Sequence, residues 1–293
     1  MPGTAETVYS DADVFGVAAD RLIASLRERC GLKRDDLLER KVHGVLRQRA
    51  PSLMASWVDD LLARPVNDRV WLDVLDAVTI HETYFFRDPG QLQVLRHTLL
   101  PDLIARRAAA NDRRISFWSA GCASGEEAYS LAILVLQALE QAGEKADHWA
   151  IEILGTDISA AMIGLARQGV YGGPGLNAFR QMPEDHDAYF ENVEHLPGRR
   201  RVVSLVHALP RFRQHNLMDA TPPVSGVDIA LCRNVFIYFD EQAQHQAVVN
   251  LASAVSEGGF LLLGVTDRLS ADCAFVREPT GTAVVYRRVE SGS

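Results

Sequence analysis

Ile115-Ser116-Phe117-Trp118-Ser119 runs directly into Ala120-Gly121-Cys122-Ala123-Ser124-Gly125-Glu126-Glu127, and the reading of this stretch decides the fold. An apolar run of strand length ends in small residues and opens an amphipathic helix over about 126–142, the pattern of strand, tight turn and helix in an open α/β sheet. Small residues at such a turn let a ligand approach the backbone and the helix N-terminus at the carboxyl edge of the sheet. The glycine spacing is G-x-x-x-G rather than G-x-G-x-x-G, and the helix opens on two acids. Glu126 and Glu127 complement a helix dipole, but they also repel a pyrophosphate. The turn therefore disfavours a dinucleotide, and with it a nicotinamide dehydrogenase. It suits a cationic or zwitterionic ligand such as S-adenosylmethionine, with its sulfonium and ammonium groups.

Outward from this turn, short apolar runs over 151–156, 227–232 and 260–265 alternate with amphipathic helices over 159–168 and 241–256. The alternation predicts a Rossmann-like, doubly wound α/β sheet of parallel strands buried on both faces. The second strand ends at Asp157, where a carboxylate can accept from ribose hydroxyls or serve as a helix N-cap; periodicity leaves both open. His215-Asn216-Leu217 and Arg233-Asn234-Val235-Phe236-Ile237-Tyr238 place further polar groups near strand ends. A stretch rich in Gly, Pro and charge over 172–213 breaks the rhythm and reads as an inserted β-subdomain. From Val14 to Thr79 the pattern is helical throughout, so residues 1–80 are expected to form an all-helical domain and residues 81–293 the α/β domain. Apolar stripes at Leu22, Ile23, Leu26 and Cys30, and at Leu38, Val42, Val45 and Leu46, mark two of its helices.

The 293 residues are 47% hydrophobic and 23% charged, an ordinary globular composition. Thirty Lys and Arg against 38 Asp and Glu give a net charge of −8, which argues against a general nucleic-acid binder. Between Asp20 and Arg49, however, nine basic residues meet five acidic ones. Lys33, Arg40 and Arg47 recur every seven residues there, a spacing that predicts one helix face: either solvated, or a docking surface for an acidic partner. Cys30, Cys122, Cys232 and Cys273 show no metal-ligand or disulfide spacing, so no metal is expected. The amino terminus lacks the pattern of a signal peptide and no apolar stretch is of membrane-spanning length; a cytoplasmic monomer without membrane insertion is expected.

Four segments together resemble the CheR-type chemotaxis methyltransferases. Thr79 to Asp88 is similar to T-x-N-E-T-x-F-F-R-[DE], Trp118 to Leu131 to W-S-A-G-C-S-T-G-E-E-P-Y-S-L, Gly155 to Tyr171 to A-T-D-I…A-x-x-G-x-Y, and Asp228 to Asp240 to D-x-I-x-C-R-N-V-x-I-Y-F-D. The resemblance runs from about Val14 to Arg268, and the four motifs in combination are specific. It implies transfer of a methyl group from S-adenosylmethionine, leaving S-adenosylhomocysteine, to glutamate side chains on the cytoplasmic helices of chemoreceptors. Carried over by position, His81, Thr83, Arg87, Gly121, Glu126 or Glu127, Asp157, Asn216, Leu217, Arg233 and Asn234 line the cofactor site, and Tyr238 stands beside the reacting methyl. Arg87 and Tyr238 are the expected catalytic residues, with Arg106 and Arg107 as further candidates for a substrate-side cation. The sequence departs from the family at His81, usually Asn, and at Ala128, usually Pro. A methyltransferase for another acceptor and a non-catalytic cofactor-binding module are the alternatives.

Overall fold

The structure is a computed structural model that describes residues 11–173, 177–269, 273–280 and 283–289. The chain divides into two compact units, one formed by the residues up to Ile80 with Tyr238–Ala243, the other by His81–Ile237 with the residues from Gln244 onward. In the first unit, α1 (Asp11–Cys30), α2 (Asp36–Leu46), α3 (Pro51–Ala63) and α4 (Arg69–Val78) bury the apolar stripes read from the sequence. Trp71, fully buried on α4, donates its indole N–H to the Leu61 carbonyl at 2.6 Å, so its polar edge is satisfied inside the core.

Two expectations are corrected in this unit. Asp35 is the N-cap of α2, accepting from the backbone N–H of Leu37 and Leu38 at 3.1 and 2.8 Å. Lys33 therefore precedes the helix, Arg40 lies within it and Arg47 is its C-cap. A seven-residue spacing cannot express a shared helix face across a capped start. Tyr238–Ala243, assigned to the α/β part from sequence, packs with the helices instead. A bridge pairs Leu32 with Phe239, the Lys33 N–H reaches the Tyr238 carbonyl at 2.8 Å, and Arg27 pairs with Asp240 at 3.1 Å.

The second unit continues with α5 (Pro89–Val94), which passes through a π-helical turn into α6 (Leu100–Ala109), then β1 (Arg114–Ala120), α7 (Glu126–Gln141), β2 (Ala150–Asp157) and α8 (Ala160–Gln168). Next come β3 (Val170–Gly172), β4 (Phe190–Asn192), β5 (Arg199–Val202), α9 (Ser204–His207), β6 (Pro210–Gln214) and β7 (Val227–Cys232). α10 (Glu241–Ala254), β8 (Val255–Leu263), β9 (Phe275–Thr280) and β10 (Ala283–Arg288) follow. One sheet has the order β6-β2-β1-β7-β8-β10-β9, the other β3-β5-β4. β6, β2, β1, β7 and β8 are mutually parallel, so Gln214, Asp157, Ala120, Cys232 and Leu263 end at one edge. α6 and α7 cover the face carrying Ile115, Phe117, Ile229 and Leu231.

This is the expected Rossmann-like architecture with its small inserted β-subdomain, with two differences. Pro210–Gln214 is not part of the insertion but the parallel edge strand beside β2. Its alternation of buried and exposed residues, with arginines at 211 and 213, hides an edge strand from a search for apolar runs. The far edge is antiparallel, β10 against β8 and β9 against β10. Among the described residues no helix is long and apolar enough to cross a membrane. Replacing the α2 cap, Asp35→Ala, should cost about 1 kcal/mol of stability, whereas Asp35→Ser should cost little. Denaturant unfolding of the helical unit's fluorescence signal from Trp57 and Trp71 checks this, and equal losses for both substitutions would refute the capping role.

Candidate functional site

At the carboxyl edge the chain leaving β1 turns sharply. The N–H groups of Gly121 and Cys122 both reach the Thr156 carbonyl on β2, at 2.7 and 2.8 Å. Gly121 has φ +78° and Gly125 +94°. A Cβ at Gly121 would run into the Val235 side chain, and one at Gly125 would lie 2.8 Å from the Ala166 Cβ. The turn thus needs both glycines for backbone conformation and for close approach.

Asp157 ties this turn to β2. One carboxylate oxygen accepts from the Ala123 N–H and the other from the Ser159 N–H, each at 2.9 Å. The N-cap of α8 is Ser159, whose hydroxyl accepts from the Met162 N–H at 3.0 Å, so the capping role left open for Asp157 belongs to its neighbour. The buried carboxylate lies between two loops at the strand ends, where it can also accept from a ligand's hydroxyls.

The two acids at the head of α7 meet different surroundings. Glu127 accepts from the Ser119 hydroxyl at 2.7 Å and from the Arg233 guanidinium at 3.1 Å. Glu126 is buried and accepts from the Ser124 hydroxyl at 2.7 Å. Desolvation pushes its carboxyl up from an ordinary 4.5 to about 7, with the Ser124 hydrogen bond opposing. Arg233, with a side chain only 2% exposed, also donates to Gln91 Oε1 at 2.8 Å, to Asp88 at 3.0 Å and to the Arg87 carbonyl. Its guanidinium is thereby largely committed within the protein. Arg87 is half-buried and donates to the Glu82 carbonyl at 2.7 Å.

The remaining candidates fall as follows. Asn216 and Leu217 follow β6; Asn216 Oδ1 accepts from the Met218 N–H at 3.0 Å, and the Leu217 carbonyl accepts from Asn250 at 2.8 Å. Asn234 follows β7 with a left-handed backbone, φ +58°. His81 and Thr83 are half-buried on the segment that leads to Arg87. Arg106 and Arg107 are at neither candidate position: Arg106 pairs with Asp102 on its own helix, and Arg107 with Asp112 and with Asp228 at the start of β7, the amino edge of the sheet. Tyr238, Lys33, Arg40 and Arg47 belong to the helical unit. Sequence reading missed Ser119, Ser124, Asp88 and Gln91 as site-shaping groups. The first three lie inside quoted motifs, but no periodicity or spacing marks Gln91.

Residues 81–283 match the family model described as CheR methyltransferase, SAM binding domain. The chain belongs to this family. A chemotaxis protein methyltransferase of Vibrio parahaemolyticus is 34% identical over 252 residues, covering 84% of this chain and 86% of the relative. Chemotaxis protein methyltransferase 1 of Vibrio cholerae is 33% identical over the same shares, and that of Pseudomonas aeruginosa 33% identical over 67% of this chain and 69% of the relative.

The cofactor of this CheR-family chain is S-adenosylmethionine. The donor set fits it, since the Asp88, Glu127 and Asp157 carboxylates outnumber the Arg233 and Arg87 guanidinium groups around the turn, a balance that favours a cationic ligand. The buried Glu126 carboxyl has a consequence for stability. Because its pKa is higher folded than unfolded, the folded state loses stability as pH rises from about 4.5 through about 7. Glu126→Gln should therefore leave stability at pH 4 nearly unchanged and raise it at pH 8, by up to about 3 kcal/mol. Thermal melts of both proteins across that range test this, and parallel profiles would overturn it.

Proposed function

We propose that this chain transfers the methyl group of S-adenosylmethionine to glutamate side chains on the cytoplasmic helices of chemoreceptors. The observation that carries the reading is the acid-rich turn between β1 and α7 at the carboxyl edge, in a chain whose family relatives are chemotaxis protein methyltransferases. When bound, the cofactor would supply a methyl group activated on a sulfonium sulfur, which an ionised glutamate oxygen would take as the C–S electron pair leaves on sulfur. The products are a methyl ester and S-adenosylhomocysteine, and no proton moves. A glutamate with an ordinary pKa near 4.3 is already ionised at neutral pH, so the protein need supply no base.

The work left to the chain is positioning and exclusion of water. Asp157 is assigned the ribose hydroxyls, the turn at Gly121, the Asn216–Leu217 and Arg233–Asn234 segments and His81, Thr83 and Arg87 the remainder of the cofactor, and Arg87 also the acceptor carboxylate. Tyr238 keeps the role that the family resemblance gives it. Lys33, Arg40 and Arg47 are assigned to an acidic receptor helix as three separate cations rather than as one helix face; Arg40 and Arg47 are exposed, as docking requires. The absence of a long apolar helix among the described residues suits a cytoplasmic site of action.

The direct test is transfer of labelled methyl to a receptor cytoplasmic fragment, with release by mild base marking an ester; no transfer, or a base-stable product, would overturn the glutamate assignment. Asp157→Ala should weaken S-adenosylhomocysteine binding about 10–150-fold in calorimetry, the equivalent of losing hydrogen bonds to a charged group. Reversing Lys33, Arg40 and Arg47 to Glu should leave that affinity intact and raise KM for the receptor fragment. The effect should fade with salt, because exposed charges are screened over about 8 Å at physiological ionic strength. Equal kcat/KM for this variant and the parent at low salt would remove the docking assignment.

A further inference from the structure

Phe86 and Asp88 both adopt left-handed backbone, φ +56° and +57°, on either side of Arg87. Two non-glycine residues in that region within three positions, one of them aromatic, need an external constraint to stay there. Asp88 is also the N-cap of α5 yet makes no side-chain cap bond, although capping its own helix is the usual use of an Asp at that position. Its carboxylate is turned instead to Arg233, at 3.0 Å, and the same guanidinium nitrogen holds the Arg87 carbonyl. The Phe86 N–H is held separately by the Ser130 hydroxyl at 3.0 Å.

Arg233 is in turn aimed by Gln91. This side chain, 5% exposed on α5, accepts from Arg233 Nε at 2.8 Å and donates to the Leu263 carbonyl at 2.5 Å. One end needs an acceptor and the other a donor, so only an amide of this length serves both. Leu263 ends β8 and pairs in register with Cys232, the residue before Arg233. Gln91 thereby locks the plane of the guanidinium to the end of the β7–β8 ladder. Glu127 fixes the opposite side of the fork at 3.1 Å.

We propose that Gln91 is a positioning residue for cofactor binding: through Arg233 it fixes the strained Phe86–Asp88 turn, and with it the segment carrying His81, Thr83 and Arg87. The inference rests on the reading that this segment lines the cofactor site. Among the described residues the Gln91 amide hydrogen-bonds Arg233 and the Leu263 carbonyl, and it acts by setting where the segment ending in Arg87 stands. Loss of its amide leaves Arg233 Nε and the Leu263 carbonyl without those partners, and frees the guanidinium to rotate away from Asp88 and the Arg87 carbonyl.

The test compares the full chain with Gln91→Leu and Gln91→Glu, by thermal melts and by calorimetry with S-adenosylhomocysteine well below the lowest melting temperature. Gln91→Leu should weaken binding at least about 10-fold, the scale at which small misplacements in a preorganised site are felt. Gln91→Glu keeps the acceptor for Arg233 Nε and should recover most of that loss, although it loses the donor to Leu263. A purely structural residue gives the other pattern, lowered melting temperatures in both variants with affinity unchanged, and that result overturns the proposal. Should Gln91→Leu fail to fold, a parental affinity in Gln91→Asn, whose side chain is too short to span both partners, overturns it equally. Asp157→Ala run alongside separates the readings. Affinity lost there but kept in Gln91→Leu defeats only the positioning role, and the reverse outcome defeats only the ribose assignment.

Discussion

Five parallel strands in register force their carboxyl ends onto one edge, and everything chemical in the α/β unit depends on that constraint. The strand order runs outward in both directions from the β1–β7 pair, so the connections leaving these two strands part to opposite sides. The loops at their ends separate and leave a crevice that no side chain of the sheet can close. Gly121, Asp157, Asn216 and Asn234 each follow a strand end by only one or two residues or, for Asp157, occupy it. Their proximity in space is a property of topology before it is a property of any individual contact.

Charge at that edge is arranged by burial. A buried guanidinium is tolerated when its donors are met, and Arg233 meets them with two carboxylates, an amide oxygen and a backbone carbonyl. The cluster retains an excess of acid even though an arginine sits at its centre. It therefore presents a field that attracts a cation while giving the surrounding loops a rigid anchor. A site built to bind an anionic phosphate would need the opposite balance at the head of α7, where the helix dipole alone already favours anions.

Much of this was legible in the sequence because buried parallel strands are nearly continuous apolar runs, and the runs at 115–119, 151–156 and 227–232 each sit within an observed strand. The elements that escaped do so for stated reasons. β6 alternates because it is an edge strand, and β9 carries Pro279 and exposed Val276, which reads as loop. The seven-residue spacing of Lys33, Arg40 and Arg47 looked helical, but an Asp cap starts the helix between the first two. Tyr238–Ala243 belongs with helices more than 150 positions earlier, a pairing made by backbone bonds at Gly31 and Lys33 that periodicity does not encode. Of the site, the residue types were visible in the motifs, whereas the direction in which Asp88 and Arg233 point was not. An N-cap Asp and a strand-end Arg each have an ordinary use that the structure declines.

Glu126 and Glu127 show how adjacent identical residues acquire different chemistry. On a helix, neighbours point about 100° apart, so one acid reaches the guanidinium and the Ser119 hydroxyl while the other turns into the core toward Ser124. The first has a cation to stabilise its charge. The second has the Ser124 hydroxyl and a backbone N–H as donors, too little to offset desolvation, and its carboxyl is pushed up to about 7. A cation brought alongside Glu126 would favour its ionised form and lower that value again, by the same electrostatics that acts between Glu127 and Arg233. Binding of a cationic ligand at this edge and ionisation of Glu126 are then thermodynamically linked, and each must strengthen the other by the same free energy.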